Sequence, residues 1–113
     1  MSAPDEAPQG MKTIRDCFDH VVRLTDERMA HILEHPEMKE MGGEIEQVLT
    51  APQTVRRSHS DEAVRLFYVF YARTMVGGKW LCVVVKYPKD DAFVITAYLT
   101  DKPKTGEILW PKN

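Results

Sequence analysis

Trp80-Leu81-Cys82-Val83-Val84-Val85-Lys86-Tyr87 is the stretch whose reading decides the fold. Its unbroken run of branched and sulfur-bearing apolar residues marks the most apolar β-strand of the chain, at the centre of a sheet. The segments on either side read the same way. Val64 to Arg73 is rich in aromatic and branched residues, as strands are. Gly77-Gly78 supplies the hairpin loop between the two. Pro88-Lys89-Asp90-Asp91 reads as the next turn, and Phe93 to Thr100 as the following strand. In that strand Phe93, Ile95, Ala97 and Leu99 are expected on one face, with Val94, Thr96, Tyr98 and Thr100 on the other. Thr54 to Ser58 is a polar, basic segment and reads as an edge strand. His59-Ser60-Asp61-Glu62 makes the turn after it.

Upstream the pattern changes. Val21-Val22-Arg23-Leu24 is either a short strand or an extended lead-in. Thr25 has the chemistry of a helix N-cap, with Asp26 and Glu27 in the first turn, where the helix dipole favours acids. Pro36 closes this helix by forcing the residue before it out of the α region. A second helix is expected from near Pro36 to about Leu49, on an apolar stripe of Met38, Met41, Ile45, Val48 and Leu49. Gly42-Gly43 weakens its middle enough to bend or split it, and Thr50-Ala51-Pro52 stops it. The expected fold is α+β, with N-terminal helices packed on one face of a four-stranded antiparallel sheet. Residues 1–20 read as a flexible leader with room for a short helix, and residues 21–113 as one domain.

The composition bounds the function. The 113 residues are 43% hydrophobic and 28% charged, ordinary values for a globular chain. No apolar run is long enough to cross a bilayer, and no membrane partner is expected. The polar N-terminus lacks the pattern of a secretory signal. Cys17 and Cys82, far apart in apolar surroundings, read as buried free thiols in a reducing compartment, which points to the cytoplasm. The net charge of −2 hides an asymmetry. Residues 1–50 hold 5 Lys and Arg against 11 Asp and Glu, whereas residues 51–113 hold 10 against 6. That balance argues against a general DNA binder, which would carry more positive charge. It leaves room for a local basic cleft.

Arg28, His31 and His35 stand at three- and four-residue steps and share one helix face. Histidine suits proton transfer near neutral pH, and arginine suits phosphate through its planar, permanently charged fork. The plainer reading is a helix end, with His35 bonding to a last-turn carbonyl before Pro36. A metal reading is weaker. His31-Ile-Leu-Glu-His35 places its glutamate beside the second histidine, and zinc wants a third or fourth ligand. Neither metal nor cofactor is expected. Arg56 and Arg57 form a second basic patch, whose plainer reading is protection of a strand edge. Arg65 lies near the turn that follows them. Lys86 ends the most apolar strand and either snorkels to the rim or neutralises a phosphate. Thr96 and Tyr98 offer a hydroxyl and a stacking ring on a neighbouring strand, or are ordinary sheet surface.

The Arg23-Leu24-Thr25-Asp26-Glu27-Arg28 segment, the His31/His35 helix, Pro52 before the strands and the Thr96-Ala97-Tyr98 strand carry a resemblance. Over about residues 21–110 the chain resembles the phage-related branch of the Barnase–EndoU–colicin–RelE-like nuclease fold. The resemblance implies a metal-independent endoribonuclease, toxin-like or phage-derived. In it a ribose 2′-hydroxyl attacks the adjacent phosphate. His31 or His35 would serve as acid or base, and Lys86 and an arginine would stabilise the phosphorane. Thr96 and Tyr98, with Arg28, Arg56 and Arg57 as weaker matches, would bind substrate; Arg65 joins them from its place near the turn and not from the resemblance. RNA, an antitoxin or immunity protein and a second copy of the chain are the partners in view. The alternative is a non-catalytic RNA- or protein-binding module on the same fold. It predicts that His31, His35 and Lys86 do not converge. A third reading is a structural or regulatory protein acting through an exposed strand edge.

Overall fold

The computed structural model describes residues 10–112. The chain runs β1 (Met11–Arg15), β2 (Val21–Thr25), α1 (Asp26–Leu33), a single 3-10 turn (Pro36–Met38) and α2 (Glu44–Thr50). It continues with β3 (Thr54–Arg57), β4 (Val64–Tyr71), β5 (Lys79–Lys86), β6 (Phe93–Thr100) and β7 (Ile108–Trp110). All seven strands form one sheet in the order β1-β2-β6-β5-β4-β3-β7. Strand β5 is its middle member, and β3 to β6 form the expected antiparallel meander.

The four-stranded description is corrected in three places. The sheet has seven strands. It is mixed, because β2 pairs parallel with β6 at Arg23 and Phe93. The helices are inserted between β2 and β3 and do not precede the sheet. The described part of the expected leader, residues 10–20, is β1 and the turn after it, with no helix; residues 1–9 lie outside the described residues. Strand β3 is not an edge, because β7 pairs with it. The physical reason is amphipathicity too weak to read. Only Ile14 of β1 is buried, and β7 is three residues long.

Helix–sheet packing makes the main core. Ile32, Met38, Ile45, Val48 and Leu49 from the helical segment meet Phe67, Leu81, Val83 and Val85 from the sheet. Each of those buried side chains is worth about 1.5–3 kcal/mol relative to exposure. Gly42-Gly43 splits the expected second helix, whose regular α part begins only at Glu44. The opposite sheet face has its own cluster of Val64, Leu66, Tyr68, Cys82 and Val84. The connection from β6 to β7 crosses this face. The Lys104 N–H donates to the Tyr68 hydroxyl at 3.1 Å, and Arg56 donates to the Lys104 carbonyl at 3.0 Å. A face expected to lie open is therefore strapped.

Strand β6 also departs from simple alternation. Its pairing with β5 shifts between Val84 and Val85. An extra residue in one strand turns the side chains on either side of it to opposite faces. Val94 joins Ala97 in the helix-side core, while Ile95 packs in the cluster across the sheet. The sheet curls around the helices. Its curl brings Phe18, in the turn after β1, edge-on against Phe67 at 6.1 Å and Trp110 of β7 at 5.8 Å.

Candidate functional site

Helix α1 begins as its sequence dictates, with the Thr25 hydroxyl accepting from the Arg28 N–H at 3.0 Å. Its polar face points to solvent. The His31 side chain is 63% exposed, and its Nδ1 lies 3.8 Å from Glu34 Oε1. His35 is exposed at the start of the 3-10 turn and makes no side-chain cap. Arg28 borders a shallow cleft of about 170 Å³ with Arg23, Thr25 and Phe93. Arg23 is already committed there, gripping Asp91 with two hydrogen bonds of 3.0 and 2.7 Å. That donation holds the Asp91 carboxyl below its usual range.

Lys86 is on the other side of the sheet. Val83 and Val85 face the helices, so the alternation of β5 sends Lys86 away from them. It pairs with Asp61 at 3.3 Å. Asp61 is held below the ordinary carboxyl range, first by the Ala63 N–H and then by Lys86. Thr96 and Tyr98 share the face of Lys86, Tyr98 beside the buried Cys82. Arg57 pairs with Glu107 at 2.9 Å and donates to the Glu62 carbonyl. Arg56 is used by the strap, and its buried Nε has no partner. The structure does not bring His31, His35 and Lys86 together: the sheet stands between the two histidines of the helical segment and the lysine.

One predicted residue, Arg65, belongs to a constellation of a different kind. It is built on Asp16, which follows β1 and is the buried charged residue of the described chain. The Asp16 Oδ1 accepts from the N–H groups of Phe18 (2.9 Å) and His20 (2.8 Å). Its Oδ2 accepts from the Tyr87 hydroxyl at 2.6 Å, with His20 Nδ1 at 3.7 Å. Asp19 takes a positive φ of 70° to close the turn, a conformation that aspartate tolerates better than most residues. The Cys17 N–H donates to the Leu49 carbonyl, which ties the turn to α2. Hydrogen bonds to a charged group contribute about 1.5–3 kcal/mol each, so this carboxylate fixes the loop and the Tyr87 ring together.

The fixed turn and ring in turn hold Arg65. Its guanidinium carbon lies 4.6 Å from the Phe18 ring centre and 4.4 Å from that of Tyr87. Cation–π contacts of this kind contribute about 0.5–2 kcal/mol each. Among the described residues Arg65 has no carboxylate partner and donates no side-chain hydrogen bond. Two clefts meet at Arg65 and His20. One, of about 440 Å³, is also lined by Tyr87, Pro88, Asp90 and Asp91. The other, of about 460 Å³, is lined by Cys17, Phe18, Trp110 and Lys112.

The chemistry of the neighbours is constrained. Burial and then the bond to Asp16 push the Tyr87 hydroxyl far above its ordinary range. Burial and the Asp16 carboxylate push the Cys17 thiol up to about 11. Neither group gives up its proton readily near neutral pH. His20, 52% exposed, is the imidazole of this cleft. Sequence reasoning missed Asp16, Phe18, His20 and Tyr87, having placed the first three in a leader. The available signal was Ile14 followed by Asp16-Cys-Phe-Asp-His20 and Val21-Val22, an acid-rich turn between two apolar segments. No family model, no curated protein and no solved structure matches this chain, and the site rests on its own geometry.

Proposed function

We propose that the protein is a non-catalytic RNA-binding module whose cleft at Arg65 holds one phosphate with an adjacent base. The observation that carries this reading is the Arg65 guanidinium, packed over two aromatic rings with no carboxylate partner among the described residues. A planar fork held in one orientation loses little freedom when it meets a phosphate. His20 and Lys112 add donors beside it, and the Phe18 and Trp110 rings line the same cleft. Rings next to cations suit single-stranded nucleic acid, whose bases stack while the backbone is neutralised.

The wide separation of His31, His35 and Lys86 favours binding over cleavage. Cleavage through a 2′-hydroxyl uses a base and an acid. In this cleft Tyr87 is committed to Asp16, which leaves His20 alone for proton transfer.

A short, labelled single-stranded RNA titrated with the protein at low salt in EDTA tests the reading. Wild type is expected to bind and leave the RNA intact. Arg65→Ala is expected to weaken binding about tenfold or more, as the loss of a charge-assisted contact implies. Lys86→Ala is expected to bind as wild type does. Equal binding by wild type and Arg65→Ala would sink the proposal. Cleavage abolished by His20→Ala would replace it with a ribonuclease centred on this cleft.

A further inference from the structure

We infer that the bound strand ends at Arg65: the cleft selects a terminal phosphate monoester over an internal phosphodiester. This inference rests on the RNA-binding reading above and names the part of the RNA that is recognised. Its basis is the unlike character of the two clefts that share Arg65 and His20. On one side stand Phe18, Trp110 and Lys112, two rings and a cation. The acid on that side, Asp19, is already paired with Arg15 at 3.0 Å. A nucleotide leading away from Arg65 in this direction meets stacking surface and positive charge.

The other side is less favourable to a polyanion. It is lined by Val21, Pro88, Asp90 and Asp91. Arg23 holds Asp91 in place at 2.7 Å, and Asp90 has no cation partner among the described residues. A strand passing through Arg65 would carry its next phosphate toward the Asp90 carboxylate oxygens, which no cation offsets among the described residues, and like charges brought together repel. A strand that stops at Arg65 avoids them.

The chemistry at Arg65 agrees with a chain end. A phosphate monoester carries about −1.5 to −2 charge at pH 7 and three terminal oxygens, more than an internal diester offers. Among the described residues the Arg65 fork makes no side-chain hydrogen bond, and the exposed His20 ring lines the same two clefts. Together they present donors to more than one oxygen of the same group. Asp90 supplies selectivity by repulsion, the usual means of rejecting a near-identical ligand.

The test uses the full chain and three RNAs of one sequence, ending in a 5′-phosphate, in a 3′-phosphate, or in hydroxyls at both ends. At least one phosphorylated end is expected to bind about tenfold tighter than the hydroxyl-ended strand, with the arms identifying which end. Asp90→Asn, which suits the positive φ of 59° at that position, is expected to narrow the gap by admitting internal diesters. Equal affinity for all three RNAs overturns the inference and leaves RNA binding intact. Binding of none overturns both. A gap that Asp90→Asn leaves unchanged overturns the role given to the acidic wall.

Discussion

The outer face of α1 and the turn between β1 and β2 both collect polar groups, but they collect them differently. In the helical segment, Arg28 and His31 lie on α1, but the expected shared face stops there, because α1 ends at Leu33 and His35 follows in extended backbone; each side chain ends in solvent. Around the turn, Asp16 joins Tyr87 across 71 residues of sequence, and Arg65 is held by rings from two separate segments. Spacing on one element guarantees a shared face but no opposing wall. A cleft with fixed donors needs a second element, and here the curl of the sheet supplies it.

The largest effect expected of breaking this contrast comes from Asp16→Ala. It strips acceptors from Phe18, His20 and Tyr87 at once, in a site where the Asp16 side chain has no exposure. A loss of about 3 kcal/mol or more is expected in urea unfolding, since unsatisfied buried groups cost about 1–3 kcal/mol each. A loss under about 0.5 kcal/mol, the size of an ordinary surface change, would mean that the carboxylate does not organise the turn.

Tyr87→Phe sharpens the same point at smaller cost, about 2 kcal/mol for one hydrogen bond to a charged acceptor. It also carries a pH signature. The folded Tyr87 is held well above the ordinary tyrosine range, chiefly by burial and then by Asp16. Above about pH 10 the unfolded chain has released this proton while the folded chain keeps it. The Tyr87 contribution is therefore complete below pH 10 and declines as pH rises beyond it. Tyr68 and Tyr71, both pushed up to about 12 by burial, add to the same decline. Unfolding free energies between pH 9 and about pH 11 should fall less steeply in Tyr87→Phe than in wild type; parallel curves would remove Tyr87 from the account. The smallest effects belong to the helical segment. His31→Ala and His35→Ala are each expected to stay within about 0.5 kcal/mol of wild type in the same unfolding experiment. A larger loss would show that this segment does structural work absent from its geometry.

Much of the fold was legible because its strongest elements obey local rules. The apolar run of β5, the aromatic β4, the Thr25 cap, the stop at Pro36 and the weak point at Gly42-Gly43 all follow from residue chemistry read within a few positions. Strands β1 and β7 were not legible, because each is defined by pairing with a distant partner. The bulge in β6 hid the true faces of Phe93 and Val94, since two-residue alternation carries no mark of an extra residue. Of the expected functional residues, Arg65 was singled out for its nearness to a turn, without the rings that hold it. Asp16 could not be recognised as a buried anchor while its surroundings were read as a leader. Its partners are set by tertiary contacts that no local pattern encodes.

The proposed binding surface is the Arg65 cleft and not the helical segment or the Lys86 face. Backbone amide NMR shifts recorded while a short single-stranded RNA is added test it most directly. Binding at the Arg65 cleft is expected to concentrate the shifts at Cys17 to His20, Arg65, Tyr87 and Trp110. Shifts concentrated at Arg28 to His35, or at Lys86, Thr96 and Tyr98, would contradict it.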